Sequence, residues 1–169
     1  MSDNLIGRYR DPMTGAVTEE ALLRFLDAVL GMAEPTGPQV GVLCLDIDGL
    51  DRVAARHGAA VRDAALLGVA DHMHERIRNQ DLLGRVDGGF AICLADIYPA
   101  QAASAARRLL QAVKQEAVPT PVGAMALTCS IGLVMSRGGA EHGSALLGRA
   151  RVLRDAARQA GGDVVVTSI

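Results

Sequence analysis

Residues Gly84 to Leu94 read GRVDGGFAICL, and this stretch decides the fold. Two adjacent glycines, Gly88 and Gly89, stand between apolar residues of strand character, which is the pattern of a β-hairpin closed by a tight turn. Its arms are Leu82 to Val86 and Phe90 to Leu94. Upstream, VGVLCLDI is nearly all apolar and reads as a strand buried on both faces. Between that strand and the hairpin lie a short helix from about Leu50 to His57, closed by Gly58, and a longer one. The longer helix carries Val61, Ala65, Val69, Met73 and Ile77 four apart along one side.

Helical signals continue on either side. Thr18 before Glu19-Glu20 starts a helix whose stripe is Leu22, Phe25, Leu26 and Val29, ending near Gly31. The segment PTGPQ (Pro35 to Gln39) forms a loop ahead of the first strand. Pro99 opens a helix to about Glu116. Met125, Leu127, Cys129, Ile131, Leu133 and Met135 alternate as a strand with one well-buried face. A last helix bears Leu146, Ala150, Leu153 and Ala157, stops at Gly161-Gly162, and leads into a strand at DVVVTS. The order α, β, α, α, β-hairpin, α, β, α, β predicts one α/β sandwich, with a hairpin on a mixed sheet.

Composition narrows the function classes. A chain of 169 residues suits one domain. With no Trp and two residues each of Phe and Tyr, the core must be aliphatic. A net charge of −2 argues against general nucleic-acid binding, though not against a small basic pocket for one anion. Cys44, Cys93 and Cys129 sit in apolar runs without a CxxC pair and read as reduced, buried thiols, which points to a cytoplasmic protein. No run approaches the roughly 18 apolar residues of a membrane span. Residues 1–10 read as a linker or extension, with one domain over 11–169.

Several local patterns, in order and in register, resemble the GGDEF domains of the diguanylate cyclase family. They are DPMTG (Asp11 to Gly15), LDIDGLDRVAARHGAAVRDAAL (Leu45 to Leu66), the hairpin, and SIGLV (Ser130 to Val134). The resemblance implies a nucleotidyl-cyclase-like α/β fold, a central mixed, mostly antiparallel sheet flanked by helices, and, in active members, the joining of two GTP molecules into cyclic di-GMP. That reaction is phosphoryl transfer, which uses carboxylates to hold divalent metal near the phosphates.

Set against that pattern, the catalytic residues are incomplete. Asp46 matches the family's first metal carboxylate. Where the signature has R-x-G-G-(D/E)-E-F, this chain has Arg85-Val86-Asp87-Gly88-Gly89-Phe90, one residue shorter and with nothing acidic between Gly89 and Phe90. Asp87 precedes the glycines and is expected to point elsewhere or sit at the wrong depth. Of the family's two guanine readers, one falls on Ala54 and the other is kept as Asp63. The Lys after the strand end is Asp51. Of the two C-terminal phosphate cations, Arg158 is kept and the second falls on Gly162. Asp46 and Asp63 are thus read as remnants, Asp46 and Asp48 as solvated turn formers, and no metal, cofactor or enzymatic activity is expected. His72 and His74, two apart on a helix, face different ways and do not make a metal pair.

The resemblance leaves one binding site whole. RNQD (Arg78 to Asp81) falls in the register of the RxxD inhibitory site that many family members carry, with Arg108 of AARRLL as the accessory cation. An Arg fork can bond guanine O6/N7 or a phosphate, and an Asp can accept from the guanine N1–H and N2–H₂. Register carries this reading, because RYRD (Arg8 to Asp11) and RFLD (Arg24 to Asp27) match RxxD by chance. The chain is therefore expected to bind cyclic di-GMP through Arg78, Asp81 and Arg108, alone or as a ligand-bridged dimer, within a signalling protein with fused domains or a protein partner. Two alternatives stand beside it. One is a module for dimerisation or partner docking, in which Arg78 and Asp81 merely pair with each other. The other is residual cyclase activity with Asp87 substituting for the lost acids.

Overall fold

The sheet is organised by strand β1 (Gln39–Ile47), whose residues are buried along almost its whole length. In the computed structural model, which describes residues 9–137 and 141–168, β1 lies at the centre of a five-stranded sheet. Helix α1 (Glu19–Met32) precedes it, and α2 (Leu50–His57) and α3 (Ala59–His74) follow. The hairpin is β2 (Leu82–Val86) and β3 (Gly89–Ile97). Then come α4 (Pro99–Gln115), a small ribbon of β4 (Val118–Thr120) and β5 (Gly123–Met125), β6 (Cys129–Met135), α5 (Gly143–Gln159) and β7 (Val164–Thr167).

Strand order is β2-β3-β1-β6-β7, antiparallel throughout except for the parallel β6–β7 pair. Alternation along β1 sends Leu43, Leu45 and Ile47 to one face, where they pack with Phe90, Ile92, Ile131 and Leu133 beneath α3 and α4. Val40, Val42 and Cys44 face the other way, toward α1 and α5. The result is three layers, helix–sheet–helix, as the element order implied. Thr18 caps α1 by accepting from the Ala21 N–H, and α2 spans the residues expected of it.

Two expectations need correction. The turn of the hairpin is Asp87-Gly88, with Val86 paired to Gly89, so Gly89 belongs to β3. Asp87 adopts φ 55, the left-handed region that Asp enters more readily than most residues and that two-residue hairpin turns require. The late strand is also shorter than its alternation suggested. Met125 belongs to the β4–β5 ribbon, and β6 begins at Cys129 and is buried on both faces. The alternation of large and small side chains there reflects close helix approach on one face, where a Cβ on Gly132 would lie 2.3 Å from the Arg154 backbone nitrogen of α5.

Residues 1–8 of the expected linker lie outside the described residues, while Arg10 bridges to Val17. The three cysteines are buried and free. Burial pushes the Cys44 thiol up to about 11 and Cys93 to about 12, so both stay protonated. Among the described residues no helix is long and apolar enough to cross a membrane.

Candidate functional site

Two cavities hold the residues that the sequence singled out. The first, about 640 Å³, opens at the C-terminal end of β1 and the hairpin tip, and is lined by Asp46, Asp63, Asp87, Arg62, Arg154 and Arg158 among others. Asp87 does not point away from it. Its Oδ2 accepts from Arg154 Nη1 at 2.8 Å and from Arg151 Nε at 3.1 Å. Asp46 Oδ2 accepts from Arg158 Nη1 at 2.9 Å and lies 3.6 Å from Arg154 Nε. Turning the hairpin one residue earlier is what carries the Asp87 carboxylate to this place.

The two carboxylates feel different surroundings. Burial pushes Asp46 above its ordinary 3.8, and the Arg154 and Arg158 charges offset only part of that. Burial also acts on Asp87, but hydrogen bonds from Arg154 and Arg151 outweigh it and hold the group below 3.8. Exposure explains the difference: the Asp46 side chain is 14% accessible and that of Asp87 45%.

Asp48 is not solvated either. It accepts from Thr128 Oγ1 at 2.7 Å, Ser130 Oγ at 2.6 Å and the Asp163 N–H at 2.9 Å. It therefore ties the end of β1 to the start of β6 and the α5–β7 turn, a structural role. Asp63 pairs with its neighbour Arg62 at 3.2 Å on the cavity rim. The family resemblance implies a divalent cation between the strand-end Asp and a hairpin acid. The residues present do not fit one, because both available carboxylates already share guanidinium partners and no acid stands at Gly89.

The second cavity, about 840 Å³, lies between the RNQD segment and α4. Its walls include Arg76, Arg78, Asp81, Arg107 and Arg108 over an apolar floor of Leu94, Ile97 and Leu109. Arg78 and Asp81 are joined closely. Asp81 Oδ2 accepts from the Arg78 backbone N–H at 2.9 Å and Nε at 3.1 Å. Its Oδ1 accepts from Arg78 Nη2 at 2.8 Å and the Ala95 N–H at 3.3 Å. Arg78 Nη2 also donates to the Ala95 carbonyl at 2.5 Å. With its side chain 2% exposed, Asp81 holds Arg78 rather than facing the cavity freely. Arg107 and Arg108 differ: among the described residues neither side chain forms a hydrogen bond or ion pair, and both lie on α4.

His72 and His74 do diverge, His72 toward Glu116 and His74 toward the Thr14 carbonyl. His72, Glu75 and Glu116 place ligand atoms within 4.8 Å of one another, a grouping the sequence did not suggest. Both carboxylates already pair with Arg76, however. Arg154 was also missed, and a signal for it existed. Leu147, Ala150, Arg154 and Ala157 fall at helical spacing, and all four are buried.

Comparison with known proteins agrees with this architecture. The family model for the "Diguanylate cyclase, GGDEF domain" matches residues 8–163. Diguanylate cyclase DgcP of Pseudomonas aeruginosa is 28% identical over 157 residues, covering 90% of this chain and 23% of that protein. Rv1354c of Mycobacterium tuberculosis is 31% identical over 156 residues, covering 92% of this chain and 25% of that one. The chain thus spans about a quarter of the length of these curated relatives. Among solved structures, diguanylate cyclase SiaD of P. aeruginosa, crystallised with its activator SiaC, superposes with a TM-score of 0.88 at 26% identity. That match covers 99% of this chain and 65% of SiaD. The coiled coil and GGDEF domain of DgcB from Caulobacter crescentus, in complex with c-di-GMP, gives 0.90 at 19% identity, covering 99% and 89%. By fold, by the register of its motifs and by a family match over nearly its whole length, this chain belongs to the GGDEF domain family.

Proposed function

We propose that this domain binds cyclic di-GMP in the cavity between Arg78 and α4 and does not synthesise it. The observation that carries the reading is the pair Arg107 and Arg108, which line a cavity of about 840 Å³ and whose side chains have no partner among the described residues. Cyclic di-GMP carries two phosphates and two flat purines. Unpaired guanidiniums suit the phosphates, Arg planes can stack on purines, and the floor of Leu94, Ile97 and Leu109 suits their apolar faces. Arg78, whose Nε and Nη2 are held by Asp81 and the Ala95 carbonyl, offers its Nη1 edge and its planar face to a ligand. Arg78 and Arg108 are the ligand contacts, and Asp81 positions Arg78. No resident cofactor is required for this.

Lack of synthesis rests on the hairpin. Transfer between two nucleotides needs carboxylates free to neutralise developing charge, and each 1.4 kcal/mol of lost stabilisation slows the step about tenfold. Here Asp46 and Asp87 are both spent on arginines.

Calorimetric titration of cyclic di-GMP into the wild type and Arg108→Ala tests the binding claim. One charge-assisted contact of about 1.5–3 kcal/mol predicts a roughly tenfold to hundredfold weaker affinity in the variant. Absence of heat at micromolar ligand in the wild type would overturn the proposal. The Arg78–Asp81 pair would then favour the second reading, a docking module in which these residues only fasten the hairpin to the preceding turn.

A further inference from the structure

Arg154 is the one buried arginine among the described residues, with its side chain 7% exposed. It reaches that position because Gly132 lets α5 lie directly on β6. The would-be Gly132 Cβ falls 2.4 Å from the Ala150 carbonyl and 2.3 Å from the Arg154 nitrogen. From there the side chain runs under the end of β1 to the hairpin tip. Nη1 donates to Asp87 Oδ2 at 2.8 Å and to Cys44 Sγ at 3.3 Å. Nε lies 3.6 Å from Asp46 Oδ2 and donates to Asp155 Oδ1 at 3.2 Å, while Nη2 donates to the same Oδ1 at 3.1 Å.

Three carboxylates from three elements (β1, the hairpin turn and α5) thus converge on one guanidinium. Such a set is what a divalent ion ordinarily gathers. We infer that Arg154 is the resident cation of this pocket: its guanidinium stands where a divalent ion would bridge Asp46 and Asp87, so the hairpin is fastened to the sheet without metal. Charge accounting agrees. Arg151 pairs with Asp87 and also with Glu19, Arg158 pairs with Asp46 and also with Asp155, and an added divalent ion would meet the repulsion of both guanidiniums as well as that of Arg154. An arginine also carries its charge within the chain, so the arrangement is independent of the ion supply.

The test is titration with Mn²⁺ alone, read both by electron paramagnetic resonance of the free ion and by thermal unfolding. Wild type is expected to bind no Mn²⁺ at the hairpin and to unfold at one temperature at all Mn²⁺ concentrations. Arg154→Met retains length and packing and leaves Asp46, Asp87 and Asp155 without their shared cation. It is expected to unfold earlier in chelator and to gain about 4 °C or more with saturating Mn²⁺, a gain removed by adding Asp87→Asn. Arg154→Lys keeps a cation and is expected to fold and to ignore Mn²⁺, so it reads the claim if the methionine variant does not fold. The inference is overturned if wild-type Mn²⁺ binding is lost on Asp46→Asn, if Arg154→Met folds and ignores Mn²⁺, or if Arg154→Lys gains Mn²⁺-dependent stability. None of these outcomes depends on whether the distant cavity binds cyclic di-GMP.

Discussion

Gly89→Glu, which writes an acid back into the hairpin, is expected to destabilise the domain by about 3 kcal/mol or more and to yield no cyclase. A Cβ at Gly89 would lie 2.1 Å from the Leu45 carbonyl oxygen and 2.6 Å from Asp46 Oδ1. The nearer atom is backbone in the central strand, paired on both sides with β3 and β6, and it cannot step aside as a side-chain tip can. Overpacking of side chains typically costs about 1–3 kcal/mol, and a backbone collision sits at or above the upper end. Against a total stability of about 5–15 kcal/mol that is a large share. Gly88→Glu is the matched control. Nothing lies within 4 Å of its would-be Cβ, so it is expected to stay within about 0.5 kcal/mol of wild type. Denaturant midpoints of the two variants check the difference, and incubation with GTP and Mg²⁺ is expected to give no dinucleotide from either. Equal midpoints would show that the shortened turn tolerates the acid.

Asp81→Ala is expected to cost about 2–4 kcal/mol, more than Arg78→Ala, because of what each leaves behind. Asp81 accepts four hydrogen bonds, two of them from the backbone N–H groups of Arg78 and Ala95. Removing it leaves those donors without acceptors in a buried place, at about 1–3 kcal/mol each where water does not reach. Arg78 keeps its bond to the Ala95 carbonyl and is 37% exposed, so part of the loss is recovered by hydration. Arg78→Ala, by contrast, leaves Asp81 its two backbone donors and opens its carboxylate to the cavity. The proposal gives the two variants different signatures. Asp81→Ala weakens both fold and ligand binding, whereas Arg78→Ala weakens binding far more than fold. If Arg78→Ala proves the more destabilising and leaves binding unchanged, the pair is a structural clasp.

The layered fold was legible because the aliphatic runs and helical stripes of the chain are strongly periodic. The double-sided burial of β1, the bounds of α2 and the Thr18 cap all follow from local pattern. The hairpin turn did not, because three successive residues, Asp87, Gly88 and Gly89, are all turn formers. Asp87-Gly88 forms the loop, and Gly89 pairs in β3 close against Leu45, an approach between distant residues that local pattern does not show. That one-residue difference reverses the reading of Asp87, from a stray carboxylate to one bonded to Arg154, the arginine that also lies beside Asp46.

Arg154 was hidden for a related reason. In RVLRDAAR a charged residue at a buried helical position looks like surface, and Leu153 next to it offers a more natural core residue. Leu153 is only partly buried, while Arg154 takes the buried position because the residues across from it, Cys44 and Gly132, are small. Asp48 likewise depended on long-range partners, Thr128, Ser130 and Asp163, which local spacing does not bring together.

The central claim is that the ligand site lies at the arginine cavity and not at the hairpin tip. Amide chemical-shift mapping during addition of cyclic di-GMP tests it most directly. The account predicts shifts at residues 76–81, 94–97 and 100–108, with Asp46, Asp63 and residues 86–89 unmoved. Shifts confined to the hairpin tip and β1 end, or none at saturating ligand, would contradict it.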